Sequence, residues 1–150
     1  MPGFTTSFLF PDINVWVALT HGGHVHHFAA HDWFESLDDP GLRFCFCRFT
    51  QLGLLRLLTS EAVMGDEVLH QPAAWAVYDG WLRDDRVRFV EEPPNLDRRL
   101  RALTRRRQST PKVWADAYLA AFAETAQMTL VTFDQAFRGK VKPLILLERE

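Results

Sequence analysis

VWADAYLAAFAETAQMTLVTFD (113–134) divides into a helical half and a strand half, and the join between them decides the fold. In VWADAYLAAF (113–122) only Asp116 and the hydroxyl of Tyr118 interrupt an apolar run. Helical spacing puts Asp116 on the face of Val113, Leu119, Ala120 and Ala123, where a core-facing stripe belongs. MTLVT (128–132) is a short continuous apolar run, the mark of a strand buried on both faces, and an acid, Asp134, follows it. A buried ionised carboxylate without a partner costs several kcal/mol, so Asp116 needs one.

The same alternation extends in both directions. SFLF (7–10), LRFCFC (42–47), VRFV (87–90) and LILLE (144–148) read as further strands. INVWVAL (13–19), VHHFAAHDWFESL (25–37), FTQLGLLRLLT (49–59) and PAAWAVYDGWLRD (72–84) read as helices, as does the basic stretch PPNLDRRLRALTRRR (93–107). Thr110 and Pro111 suit the N-cap and first position of the helix bearing Asp116, which then sits in the second turn. Strands alternating with helices predict an α/β protein: a three-layer α/β/α sandwich around a short parallel sheet of four or five strands. No repeat, linker or low-complexity tract divides residues 1–150, so one domain is expected.

Composition narrows the function. Apolar residues make up 47% and aromatics 13%, as in a globular chain, and a net charge of −2 excludes a global basic field for nucleic acid. Any polyanion must meet a local patch. MPGFTTSFLF has no basic n-region, long apolar run or cleavage site, and no stretch approaches the ~18 apolar residues of a membrane span, so a cytoplasmic location is expected. Cys45 and Cys47 are too few for a zinc site and poorly placed for a disulfide; we expect reduced core residues.

Acids gather at one edge. Asp12 ends the first strand (FLFPD), Asp134 follows the fourth (LVTFD), and a right-handed crossover brings the start of the Asp116 helix to the same carboxyl edge. Three like charges repel unless a cation joins them. A hard divalent ion such as Mg²⁺ or Mn²⁺ takes carboxylates, keeps waters and accepts phosphate oxygens. The simpler reading, a salt bridge from Lys112 to Asp116, leaves Asp12 and Asp134 unexplained.

PDINVWVAL, RFTQLGLLRL, WADAYLAAFAE and LVTFDQAF together resemble the PIN-domain family, and more closely its VapC-type toxins. The resemblance spans nearly the whole chain. It implies a Mg²⁺- or Mn²⁺-dependent ribonuclease leaving 5′-phosphate and 3′-hydroxyl ends, a homodimer silenced by a cognate VapB-type antitoxin. It places Asp12, Asp116 and Asp134 on the family's acidic positions, and Asn14 and Thr132 on its polar ones, orienting Asp12 or a metal-bound water and hydrogen-bonding Asp134. Gln51 departs from the pattern, because many members carry Glu there and the nearest, Glu61, comes ten residues too late. With Gln the site holds a formal charge of −3 instead of −4, so Gln51→Glu is expected to tighten the metal. Two other readings stay open: a degenerate PIN domain that binds RNA or a partner without cutting, and an aspartyl-phosphate phosphatase, although D-x-N replaces the D-x-D such an enzyme wants.

Two clusters remain. Histidines 21, 24, 26, 27 and 31 are expected to be an exposed, partly capping set and not a zinc site. Arginines 98, 99, 101, 105, 106 and 107 form either a solvated helical face or an RNA-phosphate clamp, with Arg48, Arg56, Arg105 and Arg106 the candidate contacts for RNA or antitoxin.

Overall fold

A computed structural model describes residues 7–148; the expectation for the leader segment, made on residues 1–10, falls in its first six residues outside the described ones. Five strands, β1 (Ser7–Pro11), β2 (Leu42–Phe46), β3 (Val87–Phe89), β4 (Thr129–Thr132) and β5 (Leu144–Leu146), form one sheet in the order β3-β2-β1-β4-β5. Every neighbouring pair is parallel. Between them run α1 (Ile13–Thr20), α2 (His27–Ser36), α3 (Arg48–Leu58), α4 (Glu61–Met64), α5 (Gln71–Leu82), α6 (Leu96–Leu103) and α7 (Val113–Thr125).

Strand alternation sorts the side chains into two cores. Leu9, Phe44, Phe46 and Val131 face an aromatic layer with Trp16, Phe34, Leu54 and Tyr78, contributed by α1, α2, α3 and α5. Phe10, Cys45, Cys47 and Leu130 face the other way, toward Leu96 and the alanine-rich side of α7. This is the expected α/β/α sandwich, with five strands. Both cysteines are free and buried, and burial pushes the Cys45 thiol up to about 12. No described helix is long and apolar enough to cross a membrane.

Gly53 marks a close approach between two helices. A Cβ built there would stand 2.3 Å from Ile13 Cδ1 and 2.6 Å from Cγ1, so α3 lies against the first residue of α1 only because position 53 has no side chain.

Several local expectations are corrected. The basic helix ends at Leu103, where Thr104 turns its hydroxyl back onto the Leu100 carbonyl, and Arg105–Arg107 continue as exposed irregular chain. Thr110 does not cap α7: its carbonyl accepts from the Val113 N–H, a turn forms through Pro111, and Lys112 takes the cap position. Asp116 therefore falls in the first turn. Helix α2 begins at His27, two residues after Val25, and leaves Phe28 exposed. The short α4 and the 3₁₀ turn Gly65–Glu67 were not anticipated, because EAVMGDE is too brief to show a period.

Candidate active site

The strand order reverses at β1: β2 and β3 lie on one side of it, β4 and β5 on the other. The crevice of an open α/β sheet lies at such a switch point. At its carboxyl edge, Asp12 follows β1, Asp134 follows β4, and the first turn of α7 carries Asp116. The Asp12 N–H donates to the Val131 carbonyl at 2.8 Å, tying the two strand ends together.

Asp12 is 8% exposed and tightly held. One carboxylate oxygen accepts from the Ile13 N–H at 2.6 Å, so the residue also caps α1. The other accepts from the Thr132 hydroxyl at 2.9 Å. Thr132 is fully buried, and its oxygen accepts in turn from the Asp134 N–H at 3.0 Å. A hydroxyl has one proton; with its oxygen engaged as acceptor, Thr132 is oriented to give that proton to Asp12. The Asp134 carboxylate accepts from the Ala136 N–H at 2.9 Å and lies 3.8 Å from the Lys112 ammonium.

The electrostatics are those of crowded acids. Burial raises the Asp12 carboxyl above its ordinary value, the hydrogen bonds from Thr132 and Ile13 oppose this, and the charges of Asp116 and Asp134 raise it further. Asp116, half-buried, is also raised, first by burial and then by Asp134, against the pull of Lys112 and Lys140. Lys112 therefore does sit near Asp116, but its ion pair is with Asp134. Lys140 escaped the sequence reading, being six residues beyond Asp134 in a turn-rich stretch.

Three hard carboxylate donors suit Mg²⁺ or Mn²⁺ better than zinc. Among the described residues no three His, Cys, Asp or Glu side chains stand in an arrangement that could hold a metal ion as they are placed here. Asp12 is turned to Thr132 and Ile13, and Asp134 to Ala136 and Lys112. The donors fit an ion whose shell is completed by water and phosphate oxygens.

The remaining candidates divide. Asn14 is exposed on the first turn of α1 and makes no hydrogen bond among those described. Gln51 is 5% exposed, and its side-chain oxygen accepts from Arg48 at 2.6 Å. Arg56 lies five residues beyond Gln51 on α3, away from the acidic edge, lining a shallow groove with Leu52, Gln71 and Trp75. Arg105 and Arg106 lie exposed beyond α6. The histidines are not the exposed set expected. His21 is buried with its Nδ1 3.1 Å from Glu67, the His27 ring meets the Ala18 carbonyl at 2.7 Å, and His26 stacks on Phe133 with centroids 4.8 Å apart. Phe133 separates Thr132 from Asp134, so the histidine loop packs against the back of the site.

An α/β/α sheet with acids at its switch point defines a class, and comparison with known proteins specifies it. The profile described as PIN domain matches residues 9–142. Ribonuclease VapC41 of Mycobacterium tuberculosis is 47% identical over 130 residues, covering 84% of this chain and 88% of that protein. Among solved structures, VapC20 of the same species, described as a sarcin-ricin loop cleaving toxin, superposes with a TM-score of 0.66 at 18% identity, covering 88% of this chain and 94% of that one. VapBC2 of Rickettsia felis, solved on a promoter DNA fragment, gives 0.66 at 14%, covering 94% of this chain and 99% of that one. The chain belongs to the PIN-domain family, in its VapC-type ribonuclease branch.

Proposed function

We propose that this protein is the toxin of a toxin–antitoxin pair, an endoribonuclease that hydrolyses RNA phosphodiester bonds with Mg²⁺ or Mn²⁺ held by Asp12, Asp116 and Asp134. The observation that carries the reading is the convergence of these carboxylates at the β1/β4 edge, each of Asp12 and Asp116 raised by burial and by acidic neighbours. When bound, the ion supplies water activation and stabilises charge on the phosphoryl group. The chain's own residues set the geometry. Asp12 is fixed by two donors, so it does not need to be ordered when substrate arrives. Thr132 couples it to the backbone of Asp134, making the two acids one unit. Lys112 and Lys140 offset the acidic charge that would otherwise repel an RNA phosphate.

The solved VapBC complex and the 47% identical ribonuclease support a VapB-type antitoxin as partner and RNA as substrate. A homodimer working in the cytoplasm completes the proposal. Purified, antitoxin-free protein is incubated with mixed RNA, with Mg²⁺ or Mn²⁺ and with EDTA. Cleavage in the metal arms alone is the expected result; no cleavage with either metal would leave a PIN domain that binds RNA or a partner without cutting.

A further inference from the structure

Gln51 stands where many PIN domains carry an acid, and its amide is spent on a neighbour. Arg48, the first residue of α3, donates to the Gln51 oxygen at 2.6 Å, and its guanidinium lies 4.9 Å from the centre of the Phe89 ring. The Gln51 side chain is buried and that oxygen is taken by Arg48, while Arg48 itself is exposed. Among the described ion pairs none involves Arg48.

Position gives this arrangement its meaning. β2 pairs with β1 in parallel, with Phe44 opposite Leu9, so the carboxyl ends of the two strands lie at the same edge of the sheet. Arg48 therefore leaves the sheet at the edge where Asp12 lies. We infer that Gln51 is a neutral seat for a phosphate-binding arginine: it holds Arg48 beside the acidic edge with its charge undiminished, so that Arg48 grips the RNA backbone. The inference rests on the reading of the chain as an RNA-cleaving protein. A guanidinium has five N–H donors in a planar fork, and one neutral acceptor leaves the others for a phosphate. A carboxylate at position 51 would instead form a charge-assisted pair and cancel the positive charge. The departure from the family's acid is then a gain of a substrate contact, and restoring the acid weakens RNA binding without improving the metal site.

The test compares native protein, Gln51→Glu and Arg48→Gln, binding a short single-stranded RNA in EDTA across a salt series, with Mn²⁺ binding followed separately by calorimetry. Gln51→Glu is expected to bind the RNA several-fold more weakly and to lower the log–log salt slope by about 0.7, the loss of one phosphate contact on a single strand. Arg48→Gln should do the same, the double variant should lose no more than either single one, and Mn²⁺ affinity should stay at the native value. An unchanged salt slope in Arg48→Gln overturns the inference, whether or not Gln51→Glu folds. Tighter Mn²⁺ binding in Gln51→Glu also overturns it, because the side chain at 51 would then face the ion. If native protein cuts RNA with metal and the slopes do not move, this inference fails alone. If native protein cuts with neither metal and the slopes fall as expected, the contact stands and the proposed cleavage fails.

Discussion

Two charged regions of this molecule have opposite fates. At the β1/β4 edge, three aspartates scattered from residue 12 to residue 134 converge, and burial and mutual repulsion raise two of their carboxyls. Around α6, six arginines lie within ten residues, yet they do not form one surface. Arg99 pairs with Glu124 and Arg101 with Asp97 on the helix, while Arg105–Arg107 continue past its end in solvent. Density in sequence counts for little beside convergence in the fold. Parallel strands bring distant residues to one edge by construction, whereas consecutive residues on a short helix diverge by 100° each and end wherever the helix ends.

The largest expected effect comes from breaking the acidic region. Asp116→Asn should lower metal-dependent RNA cleavage at least about a hundredfold, near 2.7 kcal/mol of barrier at about 1.36 kcal/mol per tenfold. Folding should survive, because Asp116 accepts none of the described hydrogen bonds. The sign of its pH effect follows from the raised carboxyl. A carboxyl raised in the folded state contributes stability that is complete below its unfolded value near 3.8 and lost as pH rises through the folded value. In EDTA, Asp116→Asn should therefore melt higher than native protein at pH 7 to 8, and the gap should shrink as pH falls toward 4. A native rate, or a gap that grows on acidification, would remove Asp116 from the site.

A smaller effect sharpens the same contrast from inside. Thr132→Val keeps the shape but leaves one Asp12 oxygen without its donor and the Asp134 N–H without an acceptor, while the Ile13 N–H still holds the other oxygen. Each buried group left unpaired costs roughly 1–3 kcal/mol. Chemical denaturation should show a loss in that range, and cleavage should fall with it, less than for Asp116→Asn. Unchanged stability would mean that solvent reaches the pair.

The smallest effect belongs to the arginines. Replacing Arg105, Arg106 and Arg107 by Gln should change RNA affinity a few-fold and flatten its salt dependence slightly, with stability unaltered. A fall in slope equal to three phosphate contacts, about 2.1 on a single strand, would show that this chain segment does gather on RNA and would erase the contrast.

These two regions also show what was legible before the structure. The strands and Asp12, Asp116 and Asp134 could be read because apolar runs end in acids and parallel topology dictates the rest. Thr132 could be read as a neighbour of the site, but not its hydroxyl's allegiance to Asp12, a contact across 120 residues. The arginine helix was read too long because Arg favours helix; what stops it is Thr104 folding onto the backbone and the absence of buried side chains from residue 104 to residue 112. The histidines looked exposed because polarity suggests it, whereas His21 is buried and meets a glutamate from the turn after α4, an element too short to foresee. The family resemblance put Gln51 on an acidic position, and only the structure reveals that its oxygen faces Arg48.

The missing side chain at position 53 has a consequence for how this sequence can change over generations. Ile13 occupies the volume that any Cβ at 53 would claim, and Ile13 supplies the N–H that holds Asp12. The two positions are therefore free to vary only as a pair. A lineage that acquires alanine at 53 must first give up bulk at 13, and one that keeps isoleucine at 13 is confined to glycine at 53. A correlated choice of this kind, recorded 40 residues apart in descendants of the same ancestor, would carry the memory of one contact between two helices.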